Sequence, residues 1–181
     1  MNNRGFTVLE LLVAISVAVI LLTIGIPSFM QIIAENRRVS YTADVFNTLN
    51  FARSEAISRN LSVIVCKSAD GERCSPSGAW SDGWLVYANL EGDLGEDDFG
   101  NGEPDAGDVH LLSNQGLKGY TMTSPDYDSH VQYIPAGRAA PAGQFELCPA
   151  NGKIEGRIVR INAAGRATTP TASTPDCPDP Q

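Results

Sequence analysis

Histidine, tryptophan and positive charge are all scarce in this chain of 181 residues. Its two histidines, His110 and His130, and its four cysteines show no CxxC spacing, which leaves little from which to build an elaborate metal centre or a thiol-redox site. No GxSxG, HExxH, P-loop or GxGxxG occurs, and no nucleophile–base pair can be argued. The sequence therefore points away from an enzyme, and no cofactor is expected. Thirteen Lys+Arg stand against 21 Asp+Glu, a formal net charge of −8. A general nucleic-acid binder needs a basic surface to release phosphate counterions, so this balance argues against one. Apolar residues are not scarce: at 43% they suffice for one ordinary domain plus an appendage. They are unevenly spread.

From Leu11 to Ala34 the chain runs uncharged for 24 residues, LLVAISVAVILLTIGIPSFMQIIA. As a helix this spans roughly 36 Å, enough for a hydrocarbon core of about 30 Å. It exceeds the apolar region typical of a cleaved secretory signal, and no Ala-x-Ala-like site follows. Upstream lie a short leader, Met1 to Gly5 with Arg4, and then Phe6-Thr-Val-Leu-Glu10. Glu10 is a carboxylate inside an apolar stretch, where a charge costs roughly 2.5–3.5 kcal/mol on insertion scales and needs a partner. An α-amino group created by a cut after Gly5 would lie four residues away, and in a stack of such helices it could be a neighbour's.

GFTVLELL resembles the class III signal of type IV pilins and type II secretion pseudopilins. The resemblance implies that a prepilin peptidase cuts between Gly5 and Phe6 and methylates Phe6. It also implies that Glu10 serves subunit docking and that Pro27 lies where such helices bend. Arg4 and the initiator amine on one side nearly balance Arg37 and Arg38 on the other, so the positive-inside rule is close to a tie. Four cysteines in the remaining domain favour an oxidising compartment. The expected topology is a single pass through the inner membrane, N-terminus cytoplasmic and C-terminal domain periplasmic.

The helical pattern continues past the apolar run. Val39, Thr42, Phe46, Leu49, Arg53 and Ala56 follow three-then-four spacing, widened by Val45 and Ala52, with Arg53 the polar exception. Asn60 is a natural helix end. Beyond it, short alternating runs broken by Gly, Pro, Asp and Ser predict strands at Ser62–Cys66, Trp84–Asn89, Val109–Ser113, Tyr120–Thr123, His130–Ile134, Gln144–Cys148 and Arg157–Asn162. The expected fold is α+β, type IV pilin-like: a long N-terminal helix packed on antiparallel sheet. Residues 1–5 form the leader, 6–34 the membrane and assembly half of the helix, 35–60 its amphipathic half and 61–181 a β-rich domain.

FARSEAISRN (51–60), AWSDGWLVYAN (79–89) and DVHLL (108–112) resemble the GspH/FimT family of pilin-like proteins, over most of the chain. Family membership implies a structural subunit: a minor pilin of a type IV pilus, or alternatively the H pseudopilin of type II secretion. Its partners would be other pilins or pseudopilins, the prepilin peptidase and the inner-membrane assembly platform. A third reading is a DNA-binding minor pilin. FimT-like members are similar in a GRxR element, but here the stretch reads Gly165-Arg166-Ala167-Thr168, without the second arginine. Arg157, Arg160 and Arg166 still form a basic cluster, for which a structural role is the leading expectation.

Four further features each carry two readings. The segment from Glu91 to Asp108 holds eight carboxylates among five glycines. Asp97, Asp98, Asn101, Glu103 and Asp105 could supply oxygens to Ca²⁺, yet Ala106 stands where an EF-hand needs glycine, so a solvated acidic loop is favoured. Trp80, Trp84 and Tyr87 could form a docking patch but suit a core better. His110 and His130 are expected to be structural. The tail from Thr168 to Gln181 has a disordered composition, and Cys177 within it argues for a tether. Four cysteines allow three pairings; Cys66 with Cys74 and Cys148 with Cys177 are the neighbours in sequence, the latter closing a loop for about 3–4 kcal/mol.

Overall fold

The computed structural model describes residues 7–90, 107–150, 155–170, 174, 175 and 177, without the side chains of Ile24, Pro27, Ser28 and Ala140. The chain divides into two compact units, Met1–Arg37 and Arg38–Gln181. The boundary falls inside helix α1, Val8–Arg59, which continues through position 27 as one element. Asn60, at φ 55°, ends it in the left-handed conformation that asparagine tolerates.

In the first unit, every described large apolar side chain from Val8 to Ile32 is between 51% and 77% exposed, so this stretch has no cover within its own unit. Among the described residues no helix is long and apolar enough to cross a membrane.

In the second unit α1 buries Val45, Leu49, Ala52 and Ala56, spaced four, three and four apart. These four and the buried Thr42 all belong to the expected stripe, of whose other members Val39 is exposed and Phe46 and Arg53 are half-buried. Ala52 and Ala56, at the C-terminal end of this line, are both fully buried.

Among the described residues nine antiparallel strands form two sheets. The first joins β3 (Val109–Gln115), β2 (Gly83–Asn89), β1 (Ser62–Lys67), β5 (His130–Tyr133) and β6 (Ala139–Ala140), in that order. The second joins β4 (Tyr120–Thr123), β7 (Gly143–Pro149), β8 (Arg157–Ile161) and β9 (Ala167–Thr168). All seven predicted strands are present. The additional β6 and β9, two residues each, are too short to carry any periodicity.

Val63, Val65, Trp84, Val86, Val131 and Tyr133 of the first sheet share one core with Met122, Phe145, Leu147, Val159 and Ile161 of the second. The Trp84 indole donates to Thr48 Oγ1 of α1 at 3.2 Å, and Tyr120 meets Tyr41 edge-on at 5.3 Å. The opposite face of the first sheet is also apolar. Ile64, Cys66, Leu85 and Tyr87 form a second buried cluster with Cys74, which the Cys66–Cys74 disulfide brings back onto the strand. Both faces of β1 and β2 are therefore buried, and these strands read as continuous apolar runs.

Candidate functional site

The assembly end begins at Thr7. Its backbone carbonyl accepts from Leu11 N–H at 3.1 Å and its hydroxyl accepts from Glu10 N–H at 3.2 Å, the arrangement of a helix N-cap. Thr7-x-x-Glu10 is a capping-box spacing, a signal that can be found in the sequence by looking three residues ahead of the acid. Glu10 sits exposed in the first turn of α1, where the helix dipole favours a carboxylate. Gly5 and Phe6 lie outside the described residues. Above Glu10, the exposed side chains of Leu11, Leu12, Val13 and Ile15 continue the apolar surface. A surface of this kind calls for lipid or protein against it.

The basic residues do not converge on one face. Arg160 points away from α1 on β8; its guanidinium donates to Gln144 Oε1 at 3.2 Å, and the same amide donates to Glu146 Oε1 at 2.6 Å. Arg157, three positions earlier, pairs with Leu147 across the ladder and takes the opposite face by strand alternation. Arg166 closes the β8–β9 hairpin, exposed, with its N–H on Asn162 Oδ1 at 3.0 Å. Gly165 beside it has φ +74°, and a Cβ there would collide with the Gly137 carbonyl, so this turn rests on the β5–β6 turn. Three arginines spread over two faces and a turn, one of them already linked to a carboxylate through an amide, do not form a phosphate track.

Trp80, Trp84 and Tyr87 are core residues, each at most 3% exposed. Trp80 donates its indole N–H to the Tyr127 carbonyl at 2.9 Å and packs edge-on against Phe145. The void between α1 and the sheets, lined by Val45, Thr48, Leu49, Trp80, Trp84 and Phe145 among others, has a volume of about 10 Å³, room for about one water rather than a substrate. His130, half-buried on β5, shares a hydrogen bond with Ser129 Oγ, and burial holds its pKa below the usual value. Burial pushes the Tyr127 phenol up to about 12, and its hydroxyl donates to the Pro141 carbonyl at 2.8 Å. His110 is exposed on β3. Asp97, Asp98, Asn101, Glu103 and Asp105 lie outside the described residues; among those described, no cluster of His, Cys, Asp or Glu is placed to hold a metal. Disulfides join Cys66 to Cys74 and Cys148 to Cys177.

A helix with a capped, acid-bearing start and an apolar first half, whose second half carries antiparallel sheets, defines a type IV pilin-like subunit. The chain belongs to the GspH family: the model of that family, described as type II transport protein GspH, matches residues 42–165. A second model, the prokaryotic N-terminal methylation motif, matches residues 1–26. No curated protein matches the chain. Among solved structures, the type IV minor pilin FimU of Pseudomonas aeruginosa is similar in fold, at TM-score 0.59 and 21% identity over 79% of this chain and 96% of that one. A second crystal form of FimU gives TM-score 0.56, also at 21% identity, over 76% of this chain and 97% of that one. The minor pseudopilin EpsH from the type 2 secretion system of Vibrio cholerae follows at TM-score 0.48 and 11% identity, over 74% of this chain and 96% of that one. The family is one of structural pilins and pseudopilins.

Proposed function

We propose that the protein is a minor pilin of a type IV pilus, held in the inner membrane by a single pass with its β-rich domain in the periplasm and drawn from there into the priming complex or tip. The observation that carries this reading is the first half of α1: an exposed apolar surface beginning at a capped turn that bears Glu10. Such a helix can leave lipid for an equally apolar bundle of neighbouring helices, and packing together with an ion pair then sets the register. The role is one of binding: cleavage after Gly5 would free the amine of Phe6, and Glu10 would neutralise an amine inside the bundle. The pilus is placed first because FimU, described as a type IV minor pilin, shares the fold.

The second reading keeps the same physics in another filament, the pseudopilus of type II secretion, and is favoured by the description of the family. Deleting the gene and measuring sheared surface pili and secreted exoproteins in parallel, with complementation, separates the two. Loss of pili with normal secretion is expected. Lost secretion with intact pili would transfer the protein to the pseudopilus. Loss of DNA uptake alone would overturn both.

A further inference from the structure

A short run of residues occurs twice in the chain: Ala136-Gly137-Arg138-Ala139 returns as Ala164-Gly165-Arg166-Ala167. Each copy closes a hairpin, the first between β5 and β6 and the second between β8 and β9. The two turns are built alike. Gly137 N–H donates to the Ile134 carbonyl at 2.8 Å, and Ile134 N–H to the Arg138 carbonyl at 3.1 Å. Gly165 N–H donates to the Asn162 carbonyl at 2.8 Å, and Asn162 N–H to the Arg166 carbonyl at 3.1 Å. Both glycines take the positive φ that such a turn requires, 72° and 74°.

The turns close hairpins of different sheets, yet one lies on the other. A Cβ at Gly165 would strike the Gly137 carbonyl and lie 3.0 Å from Arg138 Cα. A Cβ at Gly137 would lie 2.6 Å from Ile57 Cδ1 on α1, and the Gly137 carbonyl accepts from Arg53 Nε at 2.9 Å. Arg166 directly follows Gly165, so its Cα is within about 8 Å of Arg138 Cα. Ala139 and Ala167, the next residues along, are buried, and strand alternation turns Arg138 and Arg166 outward, where both are exposed. Among the described residues neither guanidinium has an ion pair or a hydrogen bond.

Two like charges held near each other on a fixed base repel, and an anion between them removes that cost. We propose that the paired turns form a two-arginine clamp for an acidic segment of a partner protein, whose carboxylates the forks of Arg138 and Arg166 take. That the partner is a neighbouring filament subunit rests on the function proposed above; the clamp itself does not. Nucleic acid is the less suitable anion. It needs a run of cations to release its counterions, and a chain of net charge −8 repels a polyanion beyond the clamp. A short acidic segment needs only the two forks, with more distant charge screened over a Debye length of about 8 Å at physiological salt.

The test is an NMR titration of the full chain in detergent with hexaglutamate, read at the arginine Nε–H signals at low and at high salt. The Arg138 and Arg166 signals are expected to shift together along one binding curve, while those of Arg37 and Arg59 stay in place. Added salt weakens binding several-fold. Arg138→Gln and Arg166→Gln each reduce affinity several-fold and the double substitution removes binding, with urea midpoints unchanged because both side chains are exposed. Absence of hexaglutamate binding, equal shifts at all exposed arginines, or a response from only one of the pair overturns the clamp. So does tighter binding of oligothymidylate that the double substitution removes. None of these outcomes depends on whether gene deletion removes pili, so the clamp and the filament reading fail separately.

Discussion

Arg53 is the one charged side chain on a helix face otherwise built from Val45, Leu49, Ala52 and Ala56, and its place is explained by what it meets. Its Nε donates at 2.9 Å to the carbonyl of Gly137, a backbone acceptor in the turn after β5. That turn supports the β8–β9 hairpin through Gly165, so one guanidinium steadies the contact between two hairpins. Tyr133, on the strand leading into the turn, is completely buried, and its hydroxyl has no hydrogen-bond partner among the described residues. Burial holds the phenol well above its usual pKa, against the opposing pull of Arg53. A buried hydroxyl without a partner keeps its desolvation cost, of order 1–3 kcal/mol. Tyr133→Phe removes that cost with the ring left in place, so urea denaturation is expected to give equal or greater stability. A loss of about 1 kcal/mol or more would mean that the hydroxyl has a partner after all.

At the scale of elements, the packing of α1 depends on size more than on hydrophobicity. Ala52 and Ala56 are both fully buried in the core shared by α1 and the two sheets. Ala52→Leu adds three carbons at a fully buried position, and overpacking of a core costs roughly 1–3 kcal/mol. The expected result is a lowered urea midpoint with an unchanged slope; an unchanged midpoint would show that the interface can yield. The same alanines show the reach of the sequence. Three-and-four spacing located the helix and its buried side, and alternation with turn residues located seven strands. Spacing alone could not say that Val39 at the start of the stripe would be exposed and Phe46 only half-buried, because that depends on where the sheets end against the helix. Nor could it reveal that Ile64, Leu85 and Tyr87 form a second cluster behind the first sheet, since one strand sequence is compatible with water or with protein on that side. The arginines were legible as a cluster along the chain but not as residues of different faces, which needed the register of β8.

The whole molecule joins a domain that satisfies its own core to a helix half that does not. From Arg38 onward the apolar side chains of the core are covered by the two sheets and α1, whereas those from Val8 to Ile32 are left largely uncovered within their own unit. Lipid or a bundle of similar helices can cover the second set, and the two environments are nearly equal in apolarity, so burial alone gives little preference between them. A charge changes the balance. On the function proposed above, Glu10 has no fixed partner in lipid and can face an amine in a helical bundle, so the carboxylate is the group expected to distinguish storage from assembly. Glu10→Ala should therefore leave the helix inserted in the inner membrane, at wild-type abundance in the membrane fraction, while the protein disappears from sheared filaments. Thr7→Ala provides the control for local structure: it removes the side-chain cap, at a cost of about 1 kcal/mol, and keeps the carboxylate. Incorporation should then fall less than in Glu10→Ala. If Glu10→Ala enters filaments normally, the ion pair does not direct assembly and packing alone must do so.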